Sequence, residues 1–211
     1  MNRLTIAVPK GRLQGPTLDL FARVGLRAQV AEASRALVVP TADDRARVLF
    51  AKPMDVPTFV EYGAADIGVV GSDVLAETEH DVLQPLDLRF GACRLVLAGP
   101  CENATAPLPP HAVHRVATKY PATTARYFAR RSLQAETIRL VGSVELAPRA
   151  GLASLIVDLV QTGATLRENG LTVLDEIAET SARLIVNRAA QKLRFAEIDA
   201  LIRALSEEVT P

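Results

Sequence analysis

The segment IVDLVQTGATLRENG, Ile156 to Gly170, brings an acid, hydroxyls and a glycine together at a spacing suited to a phosphate ester. The apolar run LIVDLV reads as a buried strand with Asp158 towards its carboxyl end, and TGAT reads as a tight turn into a helix. Such a turn offers main-chain N–H groups that have no partner within the helix. Thr162 and Thr165 add hydroxyl donors around Ala164, and Gly163 lets the backbone come close to a ligand. No Gly-Lys-Ser/Thr triplet follows, so this is not a nucleotide P-loop. A carboxylate beside a phosphate cup would repel the phosphate. Asp158 is better suited to ribose hydroxyls, or to a Mg2+ held through water. The segment therefore reads as a cradle for a ribose 5-phosphate, although a strand, an Asx-type turn and a helix cap would give the same letters.

A second set of residues is cationic. PKGRL follows the strand-like run LTIAVP, so Lys10 and Arg12 emerge at a strand's carboxyl end, with Gly11 tightening the turn. Two cations there can grip a polyphosphate, and a solvated basic turn is the alternative. Arg35, before ALVVP, is a third cation at a loop–strand boundary. Farther on, GAADIGVVGSD brings a buried strand to a loop holding Gly71, Ser72 and Asp73. That pattern is usual in two-lobed proteins that clamp a small anion, and plain packing of helix on strand is its competitor. His80, His111 and His114 form no ligand set, and the last two are expected at the surface of a Pro-rich loop. Cys93 and Cys101 are too few and too widely spaced for a zinc clamp or a redox pair, so idle thiols are expected.

The elements that must position these residues alternate along the chain. Strands are expected at LTIAVP, ALVVP, ARVLFAK, DIGVVG, CRLVLAG, RVATKY, TIRLVG, LIVDLV and RLIVN. Helices are expected at PTLDLFARVG, DVPTFVEYG and ATTARYFARRS, with one closing amphipathic helix over AAQKLRFAEIDALIRALSEE. The alternation predicts an α/β fold built on parallel sheet, and the irregular PLPPHAVH break suggests two lobes with the second inserted into the first. The expected division is 1–91 plus 180–211 against 92–179.

Composition narrows the function classes. Lys+Arg and Asp+Glu each total 24, so no bulk field draws the chain to nucleic acid or to an anionic membrane. Asp158 interrupts the apolar run at LIVDLV, and no run approaches the roughly 18 residues of a membrane span. The opening MNRLTIAVPKGRL lacks a long apolar stretch with a small-residue cleavage site, so a cytoplasmic location is expected.

Taken together, the motifs resemble the ATP phosphoribosyltransferase family of histidine biosynthesis in its short form. The family pattern starts at Glu145, passes Gly151, Ala153, Ile156 and Asp158, and ends on Thr162, Gly163, Thr165 and Leu166. PKGRL, AKPMDVPTFVEYGAADIGVVG, RVATKYP and GSVELAP match in the same order. The resemblance implies a two-lobed fold like that of type II periplasmic binding proteins, with a cleft between the lobes. It implies transfer of the 5-phosphoribosyl group from phosphoribosyl pyrophosphate to N1 of ATP, with Mg2+ and release of pyrophosphate. It places Glu145, Asp158, Thr162, Gly163, Ala164 and Thr165 at the sugar phosphate. Lys10, Gly11, Arg12, Ser72 and Asp73 fall at the nucleotide, and Lys10, Arg12 and Arg35 at the developing charge. Relatives often carry lysine where this chain has Ser72 and Ala36, which implies weaker nucleotide affinity or a compensating cation. The short form further implies a homodimer within a hetero-octamer, whose other subunit is regulatory and similar to histidyl-tRNA synthetase. Two rivals are an orthodox phosphoribosyltransferase and a non-catalytic solute-binding pair of lobes. The first usually shows two adjacent acids before the loop, whereas Leu159 follows Asp158 here; the second usually carries a signal peptide or a DNA-binding domain.

Overall fold

The computed structural model describes residues 3–30, 36–103 and 108–209. Arg35 and Ser34 lie outside the described residues. The chain forms two units, Met1–Gly91 with Ser181–Pro211, and Ala92–Thr180. Thr180 groups with the second unit, where its hydroxyl lies 2.9 Å from the Cys93 thiol and donates to the Cys93 carbonyl at 3.2 Å.

The first unit runs β1 (Leu4–Pro9), α1 (Gln14–Arg23), β2 (Val38–Pro40), β3 (Ala46–Ala51), α2 (Val56–Glu61), β4 (Ile67–Gly71), α3 (Ser72–Glu77) and β5 (Val82–Asp87). The second unit holds β6 (Cys93–Pro100), β7 (Val113–Thr118), α4 (Pro121–Arg130), β8 (Gln134–Arg139), α5 (Leu146–Arg149), β9 (Leu155–Val160), α6 (Ala164–Glu168) and β10 (Leu171–Thr180). The chain then returns to the first unit as β11 (Ala182–Asn187), α7 (Arg188–Leu193) and α8 (Phe195–Val209). Each sheet has a parallel part: β3–β1–β4 at the centre of the first unit's sheet, and β9–β7–β8 along one side of the second unit's.

The expectation of parallel sheets needs correction, because both sheets are mixed. β11 runs antiparallel to β4 and β5, and β6 runs antiparallel to β9 and β10. These strands adjoin the two points where the chain passes between units, so they are not joined to their neighbours by the helical crossovers that parallel pairing requires. All residues of β1 and β4 are buried, as expected for central strands covered on both faces. In the first unit, Leu20 and Phe21 of α1 and Ile198 and Leu205 of α8 share one core cluster with Ile6 and Val8, while Val56 and Val60 of α2 pack in another with Ala7.

The closing helix is two helices rather than one. Asn187 caps α7 by accepting from the Ala190 N–H at 2.8 Å, and the chain leaves helical geometry at Arg194. The break resets the helical phase: Leu193 and Phe195 stay 85% and 59% exposed, while Ile198, Leu201 and Leu205 turn into the core. A second correction concerns His114. It lies in β7 and is 7% exposed, with Nε2 donating to the Pro109 carbonyl at 3.0 Å, so it is a core residue rather than a surface one.

Candidate active site

In the second unit, β9 occupies the middle of the sheet, in the order β10–β6–β9–β7–β8. Ile156 and Val157 are fully buried, and Asp158 and Leu159 are half-buried as the strand nears its end. Ile156 packs with Val144, Ala147 and Leu166, so α5 and α6 lie against one face; Val157 packs with Tyr120, Tyr127 and Phe128 of the α4 region on the other. The junction of β7 with α4 is locked to β9 by buried hydroxyls. Thr118 Oγ donates to the Val157 carbonyl at 2.8 Å and accepts from the Tyr120 N–H at 2.8 Å, and Thr124 Oγ donates to the Tyr120 carbonyl at 2.7 Å.

Beyond β9 the chain turns at Gly163, whose φ of 74° and ψ of 9° place it in the left-handed region. For a residue with a Cβ that geometry costs roughly 1–2 kcal/mol, so the type of this residue sets the shape of the turn. Thr162 Oγ accepts a long bond from the Ala164 N–H at 3.4 Å. Arg167 closes the turn from outside, Nη1 donating to the Thr162 carbonyl at 3.1 Å. The turn, β9 and Glu145 enclose a cavity of about 340 Å³, lined by Glu145, Ile156 and residues 158–166. This volume lies at the lower end of the range for small-molecule sites, so it suits a sugar phosphate better than a whole nucleotide. Leu166 anchors the turn by burial, while Thr162, Ala164 and Thr165 remain exposed. Asp158 Oδ1 accepts from the Leu159 N–H at 2.8 Å. Glu145 is half-buried at the start of α5. The structure thus brings Glu145, Asp158, Thr162, Gly163, Ala164 and Thr165 together around one space.

The first unit carries the cations at the carboxyl edge of its parallel strands. Lys10 follows β1 and its N–H donates to the Ala51 carbonyl at 2.8 Å. Gly11, at φ 92°, makes the turn that presents Arg12. Arg12 Nη1 donates to the Gly91 carbonyl at 2.7 Å, the last residue before the chain leaves this unit. Gly91 is itself constrained by its φ of 65°, and a Cβ there would come 2.2 Å from Leu13 Cδ2 and displace that side chain. Sequence reasoning missed one neighbour, Lys52. Pro9 and Ala51 are partners in the parallel β1–β3 register, so Lys10 and Lys52 leave adjacent strands side by side, both exposed. The signal was the strand-then-Lys-Pro pattern AKP, which repeats the logic of PKG.

Ser72 and Asp73 do not sit in an open loop; they begin α3. Ser72 Oγ accepts from the Ser181 N–H at 3.1 Å, and Ser72 N–H donates to the Ser181 carbonyl at 2.9 Å, tying α3 to the returning chain. Asp73 is 7% exposed and folds back over Gly71, where an added Cβ would lie 2.0 Å from Asp73 Oδ1. A side chain at 71 would therefore displace the buried Asp73 carboxylate.

Two mixed α/β units, the second inserted into the first, with ligand-type turns at the strand ends, define a periplasmic-binding-protein-like fold. The aliphatic sulphonate binding protein SsuA of Escherichia coli shares it at a TM-score of 0.56, 14% identity, and coverage of 98% of this chain and 72% of that one, a likeness of fold alone. The family model for HisG, ATP phosphoribosyltransferase, matches residues 52–207. An ATP phosphoribosyltransferase of Sorangium cellulosum is 53% identical over 203 residues, which covers 96% of this chain and 94% of the relative. One from Acidithiobacillus ferrooxidans is 48% identical over 211 residues, covering 99% and 98%. The solved ATP phosphoribosyl transferase (HisG:HisZ) complex from Thermotoga maritima contains a chain 35% identical, with a TM-score of 0.84 and coverage of 98% of both chains. The chain belongs to the ATP phosphoribosyltransferase family, whose members catalyse the first step of histidine biosynthesis.

Proposed function

We propose that the two sets of residues divide the work of moving a 5-phosphoribosyl group from phosphoribosyl pyrophosphate to N1 of ATP. In the second unit, the turn from Thr162 to Thr165 would hold the 5-phosphate with main-chain N–H groups and two hydroxyls. Successive N–H groups around a left-handed residue make a concavity suited to an anion. Asp158 and Glu145 would accept from ribose hydroxyls and stabilise positive charge on the sugar as its bond to pyrophosphate breaks. The adenine N1 lone pair forms the new bond to the anomeric carbon, and pyrophosphate leaves with the electron pair of the old one. No nucleophilic side chain takes part, so catalysis is positioning with electrostatics. In the first unit, Lys10, Arg12 and Lys52 would bind polyphosphate and counter the charge of the leaving group, a role the resemblance extends to Arg35. Ser72 and Asp73 would serve the nucleotide side indirectly, by fixing the main chain at the end of β4.

Among the described residues no group of three or more His, Cys, Asp or Glu could hold a metal ion, while Glu145 and Asp158 line one cavity. That donor set fits a Mg2+ carried by substrate phosphates, with these two carboxylates reaching it through water. When bound, the ion would lower the cost of charge on the departing pyrophosphate.

The similarity to a chain of the Thermotoga maritima HisG:HisZ complex supports a second-subunit partner for this chain. A likeness of that partner to histidyl-tRNA synthetase, and a hetero-octamer built on dimers of this chain, are what the family resemblance adds to the proposal. No helix among the described residues is long and apolar enough to cross a membrane, and a cytoplasmic location is part of the proposal. The single observation that carries the reading is the cavity bounded by Glu145, Asp158 and the left-handed turn at Gly163. Purified protein with ATP, phosphoribosyl pyrophosphate and Mg2+ should yield phosphoribosyl-ATP, followed by mass. No product, even with a regulatory partner added, would favour a binding role without catalysis.

A further inference from the structure

The polar lining of the second unit's cavity is two carboxylates, an amide, hydroxyls and main chain, with no cationic side chain among the described lining residues. Arg167, nearby along the chain, is turned back onto the Thr162 carbonyl. A ligand with a phosphate at one end and a pyrophosphate at the other would bring several negative charges beside Asp158 and Glu145. Within this unit a cation is needed, and the sheet supplies one at Lys119.

Lys119 follows β7, which pairs in parallel with β9 so that Thr118 stands opposite Val157. Lys119 is therefore level with Asp158. The chain is still in the sheet at that point, because the Leu140 N–H donates to the Thr118 carbonyl at 2.9 Å and extends the β7–β8 ladder. Side chains alternate between the two faces of a strand. Val116 and Tyr120 belong to the cluster on the α4 face, whereas Ala117 belongs with Ile156 and Leu166 on the face that carries α5 and α6. By that alternation Lys119 projects on the face of Ala117 and Ile156, which is also the face of Asp158 and the cavity. Lys119 is half-buried, and among the described residues it takes part in no ion pair within 4.0 Å. A partly desolvated ammonium without an acid partner is costly unless something anionic completes it.

We propose that Lys119 is a substrate-binding residue that takes the pyrophosphate group of phosphoribosyl pyrophosphate; this rests on the reading of the cavity as the sugar-phosphate site. The assignment to that end of the substrate follows from level. The turn from Thr162 to Thr165 lies beyond the end of β9, whereas Lys119 stands beside Asp158, where the ribose and its anomeric carbon would lie. The flexible four-carbon stem of lysine lets the ammonium reach an oxygen beyond the sugar.

The test is calorimetric binding of three ligands, with Mg2+, to the full chain and to its Lys119→Met and Lys119→Arg variants. Lys119→Met should weaken phosphoribosyl pyrophosphate and inorganic pyrophosphate about tenfold or more, as expected for losing a hydrogen bond to a charged group, and leave ribose 5-phosphate within about twofold. Its KM for the sugar substrate should rise while its KM for ATP holds, and Lys119→Arg should recover most of the loss. Unchanged pyrophosphate binding overturns the inference, as does an equal loss for all three ligands with a lowered Tm. If the unaltered chain fails to bind ribose 5-phosphate, the cavity assignment itself falls, and the inference with it.

Discussion

The carboxyl edges of the two sheets solve related problems with different materials. In the second unit the proposed site relies on backbone shape: Gly163 in the left-handed region, hydroxyls at Thr162 and Thr165, and two acids around a cavity with no cation among its described lining residues. In the first unit the proposed site relies on charge: Lys10, Arg12 and Lys52 follow the ends of the parallel strands β1 and β3. The contrast suits a substrate whose sugar becomes positive while its leaving group becomes negative. A main-chain turn is fixed by one residue type at one position. A cationic edge can be built from several positions, and here three cations share it beside Ser72.

Substitutions should separate the two edges. The largest effect is expected on the charged side: Arg12→Ala should lower turnover by roughly 10²–10³, as when one donor to a developing charge is removed. Its affinity for ribose 5-phosphate should stay near that of the unaltered chain, and steady-state rates with binding assays check both. Unchanged turnover would remove Arg12 from the mechanism. On the other side, Asp158→Asn should cut kcat/KM for the sugar substrate by about 10² while ATP parameters hold, since a charge beside the sugar is lost but the loop is not. Thr165→Ala removes one neutral donor and should cost the sugar substrate about two- to tenfold. Equal losses for both substrates in either variant would break the division between the edges.

The smallest prediction concerns scaffolding. Tyr127 donates to Asp175 at 2.6 Å, and Arg131 also bonds Asp175 and lies 4.0 Å over the Tyr127 ring, fastening α4 to β10. The hydrogen bond from Tyr127 holds the Asp175 carboxyl below its ordinary value, while burial and the adjacent carboxylate push the Tyr127 phenol above its own. A depressed carboxyl stabilises the fold above its unfolded value of about 4 and loses that contribution as pH falls through the folded value. A raised phenol stabilises it below about 10 and loses that contribution as pH rises towards the folded value. Tyr127→Phe should therefore lower Tm by a few degrees near neutrality, with the gap narrowing in acid and in strong alkali. A constant gap across pH, followed by thermal melts, would show that the contact is packing alone.

The site in the second unit was legible because its motif specifies a local shape. A strand, an acid, a glycine and two threonines lie within one short stretch, and Glu145 joins them through the next short helix back along the chain. The cationic edge was harder to read, because Lys52 becomes a neighbour of Lys10 only through the β1–β3 register. Ser72 and Asp73 looked like loop residues since α3 is a short helix whose cap is Gly71, with no side-chain capping bond to announce it. β10 escaped notice because two bulges, between Val173 and Asp175 and between Glu176 and Ala178, spoil its alternation. β5 carries Pro85, which is tolerated because β5 is an edge strand of its sheet. Arg35 lies outside the described residues, so its role stays with the resemblance.

The most direct measurement is a diffraction study of crystals soaked with phosphoribosyl pyrophosphate and Mg2+. The 5-phosphate should lie against the main-chain N–H groups from Gly163 to Thr165, with the ribose hydroxyls on Asp158 or Glu145. A phosphate bound elsewhere, with the Thr162–Thr165 turn closed upon its own side chains, would contradict the account.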